Sequence, residues 1–162
     1  MDKLQLRGIS KKFGNVTVVD QLNLNLRSGE FVSLLGPSGC GKTTTLRMIA
    51  GFITPTAGSI ELDGKELSSQ YHSVPPEKRR MSMIFQSYAL WPNMTVGENV
   101  AFGLKMRKVP REELRTRVAQ ILEIVRLGHL AGRYPNELSG GQQQRVSLAR
   151  ALVVKPEVLL LD

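Results

Sequence analysis

An eight-residue segment of the sequence has the residue types and the spacing of a phosphate-binding loop. It reads Gly36, Pro37, Ser38, Gly39, Cys40, Gly41, Lys42 and Thr43. This complete G-x-x-x-x-G-K-T pattern lies between an apolar run and a segment with helical spacing. Glycines let backbone N–H groups surround a phosphate chain, and the dipole of a helix start favours negative charge. The segment therefore predicts a nucleotide site in which Lys42 reaches the β- and γ-phosphates, Thr43 binds Mg²⁺ and Thr44 touches the α-phosphate region.

Two further features have the chemistry to complete such a site. Residues 158–162 form an apolar strand pattern that ends in a carboxylate. At the end of a central strand, Asp162 would face the ligand crevice and hold Mg²⁺, whereas the alternative is an aspartate that caps the next element. Ser139 precedes two glycines at a predicted helix start, where amides are left bare, although composition alone favours a simple capped turn.

The secondary-structure elements that must position these residues show different patterns of apolar and polar residues. Strict alternation predicts half-exposed antiparallel strands over residues 18–26 and 58–64. Continuous apolar runs predict buried strands of a parallel sheet. These runs are residues 31–35, 81–85 and 158–161.

Helical spacing appears in three segments, and each of them stops at or near a glycine or a proline. They are residues 43–50, 112–126 and 141–153. No strand pattern is convincing between residues 87 and 137, which predicts a helical insertion there. Helices interleaved with buried strands predict an α/β fold with a smaller antiparallel sheet.

The composition fits one soluble globular domain, with 162 residues of which 41% are hydrophobic and 22% charged. The sequence lacks a long apolar run and a secretory leader, so cytoplasmic residence is expected. Cys40 is the single cysteine, which excludes an intrachain disulfide framework. The formal charge of +8 is compatible with anionic ligands or nucleic acid. The basic residues are scattered along the sequence. We therefore expect them to lie on ordinary solvent-exposed faces, including residues 78–80 and Arg150.

The motifs together resemble the nucleotide-binding subunit of an ATP-binding-cassette (ABC) transporter, whose signature sequence is LSGGQ. The resemblance rests on the phosphate loop, residues 138–142 and residues 158–162, in that order and separation. It extends over essentially the whole chain, with residues 85–90 similar to the Q-loop. Details within residues 75–79, 88–92 and 103–105 look most like importer ATPases for sugars, polyamines or ferric iron.

The resemblance implies a P-loop NTPase (RecA-like) core with an antiparallel β subdomain and a helical insertion. The implied division of this single, incomplete domain is 1–86, 87–137 and 138–162. The implied cofactors are ATP and Mg²⁺. Phe13 would stack on adenine, with Val18 against the same base. Lys42, Gln86 and Asp162 would be the catalytic residues.

The resemblance also implies how two such subunits share nucleotide. They close head to tail, so the signature residues act in trans on the partner's ATP; these are Ser139, Gly140, Gly141 and Gln142. Thr43, Gln86 and Asp162 would be the metal site, although Gln86 has the alternative of a plain exposed loop residue. Residues 88–103 would line the groove for a transmembrane permease subunit, or else serve packing only.

One departure from the family pattern lies at Asp162, the last residue, which the family follows with a catalytic Glu and later a switch His. The chain is therefore expected to be a fragment that binds nucleotide and hydrolyses it poorly. The leading hypothesis is an ATPase subunit at the cytoplasmic face of the plasma membrane. Its expected partners are a second copy in a homodimer, permease subunits and, indirectly, a solute-binding protein, with no nucleic acid. The alternatives are a soluble ABC-type ATPase acting on nucleic acid or the ribosome, and a nucleotide-binding module without turnover.

Overall fold

The computed structural model describes residues 2–162, which divide into two compact units, residues 2–81 with Asp162 and residues 82–161. The three-part division implied by the family resemblance stays a prediction. The strands are β1 (Asp2–Phe13), β2 (Val16–Arg27), β3 (Ala57–Leu62), β4 (Lys65–Ser68), β5 (Met81–Ile84) and β6 (Val158–Leu161). The α-helices are α1 (Lys42–Ala50), α2 (Val96–Met106), α3 (Arg111–Ile124) and α4 (Gly140–Leu152). Short 3₁₀ turns lie at Pro76–Lys78, Gly128–Leu130 and Pro135–Glu137.

The first unit is built on a four-stranded sheet in the order β2-β1-β3-β4. All of its pairings are antiparallel, and Leu6 of β1 lies opposite Leu24 of β2 and Ile60 of β3. Leu6 and Ile60 are fully buried, as the alternation of apolar and polar residues requires of a sheet with one covered face. The two antiparallel strands predicted over residues 18–26 and 58–64 are confirmed.

Helix α1 follows the phosphate-loop segment and ends at Gly51, whose φ of 90° places it in the left-handed region. Its carboxyl end is covered by Arg79, which is 1% exposed. The guanidinium donates to the carbonyls of Met48 and Ile49, at 3.2 and 2.9 Å. The solvated face expected for residue 79 is therefore wrong, because unpaired carbonyls at a helix end attract a buried cation.

The second unit is mainly helical. Helices α2, α3 and α4 enclose a core that also receives residues from the connecting turns. Its buried members are Val96, Val100, Leu104, Leu122, Val125, Leu127, Leu138, Val146, Ala149 and Val153. No strand lies within residues 87–137, as predicted for the insertion. The helices predicted over 112–126 and 141–153 are confirmed as α3 and α4, within two residues at each end.

The second sheet has two hydrogen-bonded strands, β5 and β6, which confirms the strands predicted at residues 81–85 and 158–161. The third predicted core strand is wrong. Residues 31–35 carry no strand and pair with neither sheet of the described chain, and Phe31 and Leu35 are 83% and 89% exposed. An apolar run forms a strand only where a neighbouring strand accepts its backbone hydrogen bonds, and pattern alone does not supply that neighbour. Among residues 2–162, no helix is both long and apolar enough to span a bilayer.

Candidate nucleotide-binding site

The phosphate-loop segment lies close to β2 and turns sharply into α1. Gly39 and Gly41 have φ values of 83° and 94°, which side chains rarely tolerate. At Gly41 glycine is also required by space, because a Cβ there would lie 2.7 Å from the carbonyl oxygen of Val18. The close approach fixes the start of α1 against β2. The segment thus forms the turn into α1 that its sequence predicts, although residues 31–35 before it carry no strand.

Positive charge concentrates at this turn. The Lys42 ammonium lies over the loop and donates to the carbonyls of Gly36 and Pro37, both at 2.7 Å. The first turn of α1 contains no acidic residue, and its N-cap, Gly41, offers no side-chain acceptor to the helix amides. Free amides, the helix dipole and an ammonium group therefore combine at one helix start, which suits a polyphosphate.

The Thr43 hydroxyl donates a hydrogen bond of 2.7 Å to the Asp162 carboxylate. The two residues are 119 positions apart in the chain, yet fold together in the first unit. A hydroxyl and a carboxylate are hard oxygen ligands of the kind that Mg²⁺ takes beside a phosphate chain. The donor set at this point therefore fits the magnesium ion predicted from the sequence. Among residues 2–162, no group of three or more His, Cys, Asp or Glu side chains is arranged to hold a metal ion.

A cavity of about 320 Å³ opens beside the turn, between β2 and the start of α1. Val18, Cys40 and Lys42 are among its lining residues. Phe13 lies at the end of β1 with its side chain 49% exposed, and the Lys11 ammonium is 5.2 Å from the centre of its ring. One face of this ring is thus covered by a cation. Ser38 is exposed and Thr44 is half-buried in the same turn.

The signature segment begins α4 in the second unit. Ser139 and Gln142 form a reciprocal capping box: the Gln142 amide donates to the Ser139 hydroxyl at 3.3 Å, and the Ser139 amide donates to the Gln142 side chain at 2.8 Å. Gly140 and Gly141 between them are exposed, and a Cβ at either would meet nothing within 4 Å. Nothing in the packing of residues 2–162 therefore requires glycine at these two positions.

Gln86 lies in the exposed turn that follows β5. The Tyr88 amide donates to the Phe85 carbonyl at 2.9 Å and closes this turn. Of the predicted site residues, Phe13, Val18, residues 36–44 and Asp162 thus belong to the first unit. Gln86 and residues 139–142 belong to the second unit.

Sequence reasoning missed three buried or half-buried polar side chains near these segments. Arg79 supports the carboxyl end of α1, and burial lowers its pKa to about 10. Asn99 of α2 is fully buried, and Arg150 of α4 is half-buried. No sequence motif marks any of them. The hydrogen-bond partners of all three include backbone carbonyls, which are present in every sequence. Only their occurrence within helical or basic segments is visible in the sequence.

Known proteins are similar to this chain over the residues that form the candidate site. A family model described as "ABC transporter" matches residues 19–162. The chain belongs to this family. The match runs from β2 through the phosphate-loop turn and the signature segment to Asp162, and it confirms the family resemblance found in the sequence.

Curated relatives are similar over 98% of the chain. The spermidine/putrescine import ATP-binding protein PotA of Thermobifida fusca (strain YX) is 59% identical over 163 aligned residues. PotA proteins of Haemophilus influenzae (strain Rd) and Vibrio cholerae serotype O1 are 54% and 55% identical. The chain spans only 41–42% of the length of these relatives.

A solved structure gives the same fold. It is a dimeric, post-hydrolysis state of the ATP-binding cassette MJ0796 bound to ADP and Pi, which is 36% identical and aligns with a TM-score of 0.86. The alignment covers 98% of this chain and 73% of that one. The predicted α/β fold of the P-loop NTPase class is therefore confirmed.

Proposed function

We propose that this chain is the nucleotide-binding part of an ATP-hydrolysing importer subunit. The hydrogen bond between Thr43 and Asp162 carries the proposal, because it brings the phosphate-loop helix and the strand-end carboxylate to one point. The dipole of α1 favours a negative group at this helix start, and the Thr43 hydroxyl places a second oxygen ligand next to the Asp162 carboxylate, which is the kind of pair that Mg²⁺ takes beside a phosphate chain. A magnesium nucleotide accounts for both groups.

In the proposed mechanism, Lys42 leaves the carbonyls of Gly36 and Pro37 and donates to the β- and γ-phosphates. The amides at the start of α1 bind the remaining phosphate oxygens, and Cys40 and Gly41 hold the turn that presents them. Thr43 and Asp162 would hold Mg²⁺, which when bound neutralises charge on the transferred phosphate. Gln86 orients water toward this phosphate. Lys42, Gln86 and Asp162 are thus the proposed catalytic residues.

Adenine is assigned to Phe13. Its ring is about half exposed, and the Lys11 ammonium lies on one of its faces, so the other face remains for a base. Stacking on an aromatic ring suits any purine, which gives affinity without strong selection between ATP and GTP. The Val18 carbonyl lies so near Gly41 that a Cβ there would be 2.7 Å from its oxygen, so Val18 would support the loop as well as the base.

The signature glycines support an assembly of two subunits. Glycine loses more backbone freedom than alanine when it joins a helix, and in a helix interior this costs roughly 1 kcal/mol. Gly140 and Gly141 accept this cost although no neighbour within the chain needs the space. We infer that the space is used by the ATP of a second subunit. The dimeric structure of MJ0796 agrees with such a pairing.

The names of the relatives support a proposal for the transported solute. Three similar proteins carry the name of spermidine/putrescine importers, so we propose a polyamine as the solute. Permease subunits would contact residues 88–103 of the second unit at the cytoplasmic face of the membrane, and a solute-binding protein would act through them. Uptake of labelled spermidine and putrescine in cells that lack or carry the gene tests this assignment; equal uptake in both would refute it.

Nucleotide binding by the chain tests the core of the proposal. Lys42→Met removes a charged donor, and a hydrogen bond to a charged group contributes about 1.5–3 kcal/mol, so MgATP affinity should fall about 10- to 150-fold. Lys105→Met is the matched control, because Lys105 is an exposed lysine of α2 in the other unit. Titration calorimetry compares the two. Equal affinity in wild type and Lys42→Met would refute the assignment.

A further inference from the structure

The loop after Gln86 contains two residues in an unusual backbone conformation. This Gln86 loop, residues 85–95, joins β5 to α2. Tyr88 and Ala89 have φ values of 60° and 47°, in the left-handed region that residues other than glycine rarely adopt. Two such residues in succession persist only where surrounding groups hold them. The question is which groups do so.

Helix α4 supplies them. Arg150 donates through Nη2 to the Tyr88 carbonyl at 3.0 Å and through Nη1 to the Ala89 carbonyl at 2.7 Å. The hydroxyl of Ser147, one turn earlier, also donates to the Tyr88 carbonyl, at 3.1 Å. Every hydrogen-bond partner of Arg150 in the described part of the chain is thus a carbonyl of this loop. Its planar fork holds two successive carbonyls in a fixed geometry, which the single nitrogen of a flexible lysine does not impose.

The guanidinium has a second contact in the same loop. It lies 4.8 Å from the centre of the Trp91 ring, and this ring packs on Phe102 of α2 at a centroid distance of 4.3 Å. Beyond Trp91, the buried Asn99 holds the end of the loop. Its side chain accepts from the Trp91 amide at 2.9 Å and donates to the Trp91, Met94 and Thr95 carbonyls at 3.0–3.1 Å. The beginning of the loop therefore depends on α4, and its end depends on α2.

We infer that Arg150 is a positioning residue, which fixes the backbone immediately after Gln86 to the carboxyl-terminal half of the signature helix. Because α4 begins at Ser139, a displacement of this helix carries the loop with it through three hydrogen bonds. Gln86 then takes a position set by α4 as well as by β5. The catalytic meaning of this link rests on the proposed function. The link itself is a property of the second unit alone.

Hydrogen exchange tests the link. Arg150→Met keeps the apolar cover on Trp91 and removes both donors, so amides of residues 86–90 should exchange about tenfold faster or more, the effect of losing roughly one net charge-assisted hydrogen bond. Ser147→Ala should give a smaller increase at the same amides. Arg150→Lys should recover only part of the protection, since one ammonium cannot replace the fork.

Arg145→Met is the matched control. Arg145 belongs to the same helix and also donates to a carbonyl, that of Val125 at 3.1 Å, but not to the Gln86 loop. Its substitution should leave residues 86–90 unchanged. Trp91 is the only tryptophan, so its quenching by acrylamide should rise in Arg150→Met and stay constant in Arg145→Met.

Two results would overturn the inference. One is unchanged exchange at residues 86–90 in Arg150→Met. The other is a uniform acceleration throughout residues 82–161, which would mark Arg150 as a general stabilising residue. If wild type fails to bind MgATP while the local acceleration is observed, the proposed function is refuted and the positioning role of Arg150 stands.

Discussion

Replacing Gly41 with alanine should damage the phosphate-loop turn more than the same change at Gly39. Both residues have positive φ values, 94° and 83°, so backbone strain should lower the free energy of unfolding by roughly 1–2 kcal/mol in either alanine variant. They differ in their surroundings. A Cβ at residue 41 would lie 2.7 Å from the Val18 carbonyl oxygen and 3.0 Å from a methyl of Val19, whereas a Cβ at residue 39 would meet nothing within 4 Å.

Because the added Cβ of Gly41→Ala would contact the backbone at Val18, either that backbone or the loop must move. Overpacking costs about 1–3 kcal/mol, so the free energy of unfolding should fall by that amount more in Gly41→Ala than in Gly39→Ala. Urea denaturation followed by circular dichroism measures both. Hydrogen exchange at the β2 amides around Val18 should also accelerate in Gly41→Ala only. Equal losses of stability in the two variants would show that the contact with Val18 does not govern this turn.

Three other outcomes are expected. Gly140→Ala should stabilise α4 in urea denaturation, by less than the roughly 0.5–1 kcal/mol of a mid-helix position because Gly140 is the first helical residue, since the site has open space; it should still stop phosphate release by an assembled pair of subunits. Cys40 is exposed in the turn, so maleimide should label it rapidly and saturating MgATP should slow labelling; equal rates contradict the site. Hydrogen bonds from the Thr95 amide and hydroxyl lower the pKa of Glu98, so its stabilising contribution is present above the ordinary carboxyl pKa and is lost as pH falls through the lowered one. Glu98→Gln should remove this acid dependence, measured by circular dichroism, and an unaltered acid limb would refute it.

Features governed by local pattern could be predicted from the sequence. The phosphate-loop turn, α1 with its terminal Gly51, and the alternating strands β2 and β3 depend on residues near each other in the chain. The capped turn that composition favours at Ser139 is local for the same reason, and the capping box of Ser139 with Gln142 confirms it. The roles of these residues toward nucleotide remain proposals.

Features governed by distant partners could not be predicted. Residues 31–35 have the composition of a core strand, yet a strand also needs a neighbour whose backbone accepts its hydrogen bonds. Arg79 and Arg150 stand among basic residues that pattern assigns to solvent, whereas both direct their guanidinium groups to carbonyls tens of positions away. Backbone carbonyls are present at every residue, so no side-chain motif marks the ones that a buried arginine will choose.

The exposed segment at residues 31–35 has a consequence for the protein at high concentration. Phe31, Val32, Ser33, Leu34 and Leu35 carry no charge and no proline, and short segments of this kind pair readily with copies of themselves. With Phe31 and Leu35 almost fully accessible in the folded chain, folded copies can associate through this segment, and more so at higher concentration. Light scattering should therefore increase steeply on concentration, and Leu35→Lys, which places a charge in the segment, should suppress the increase.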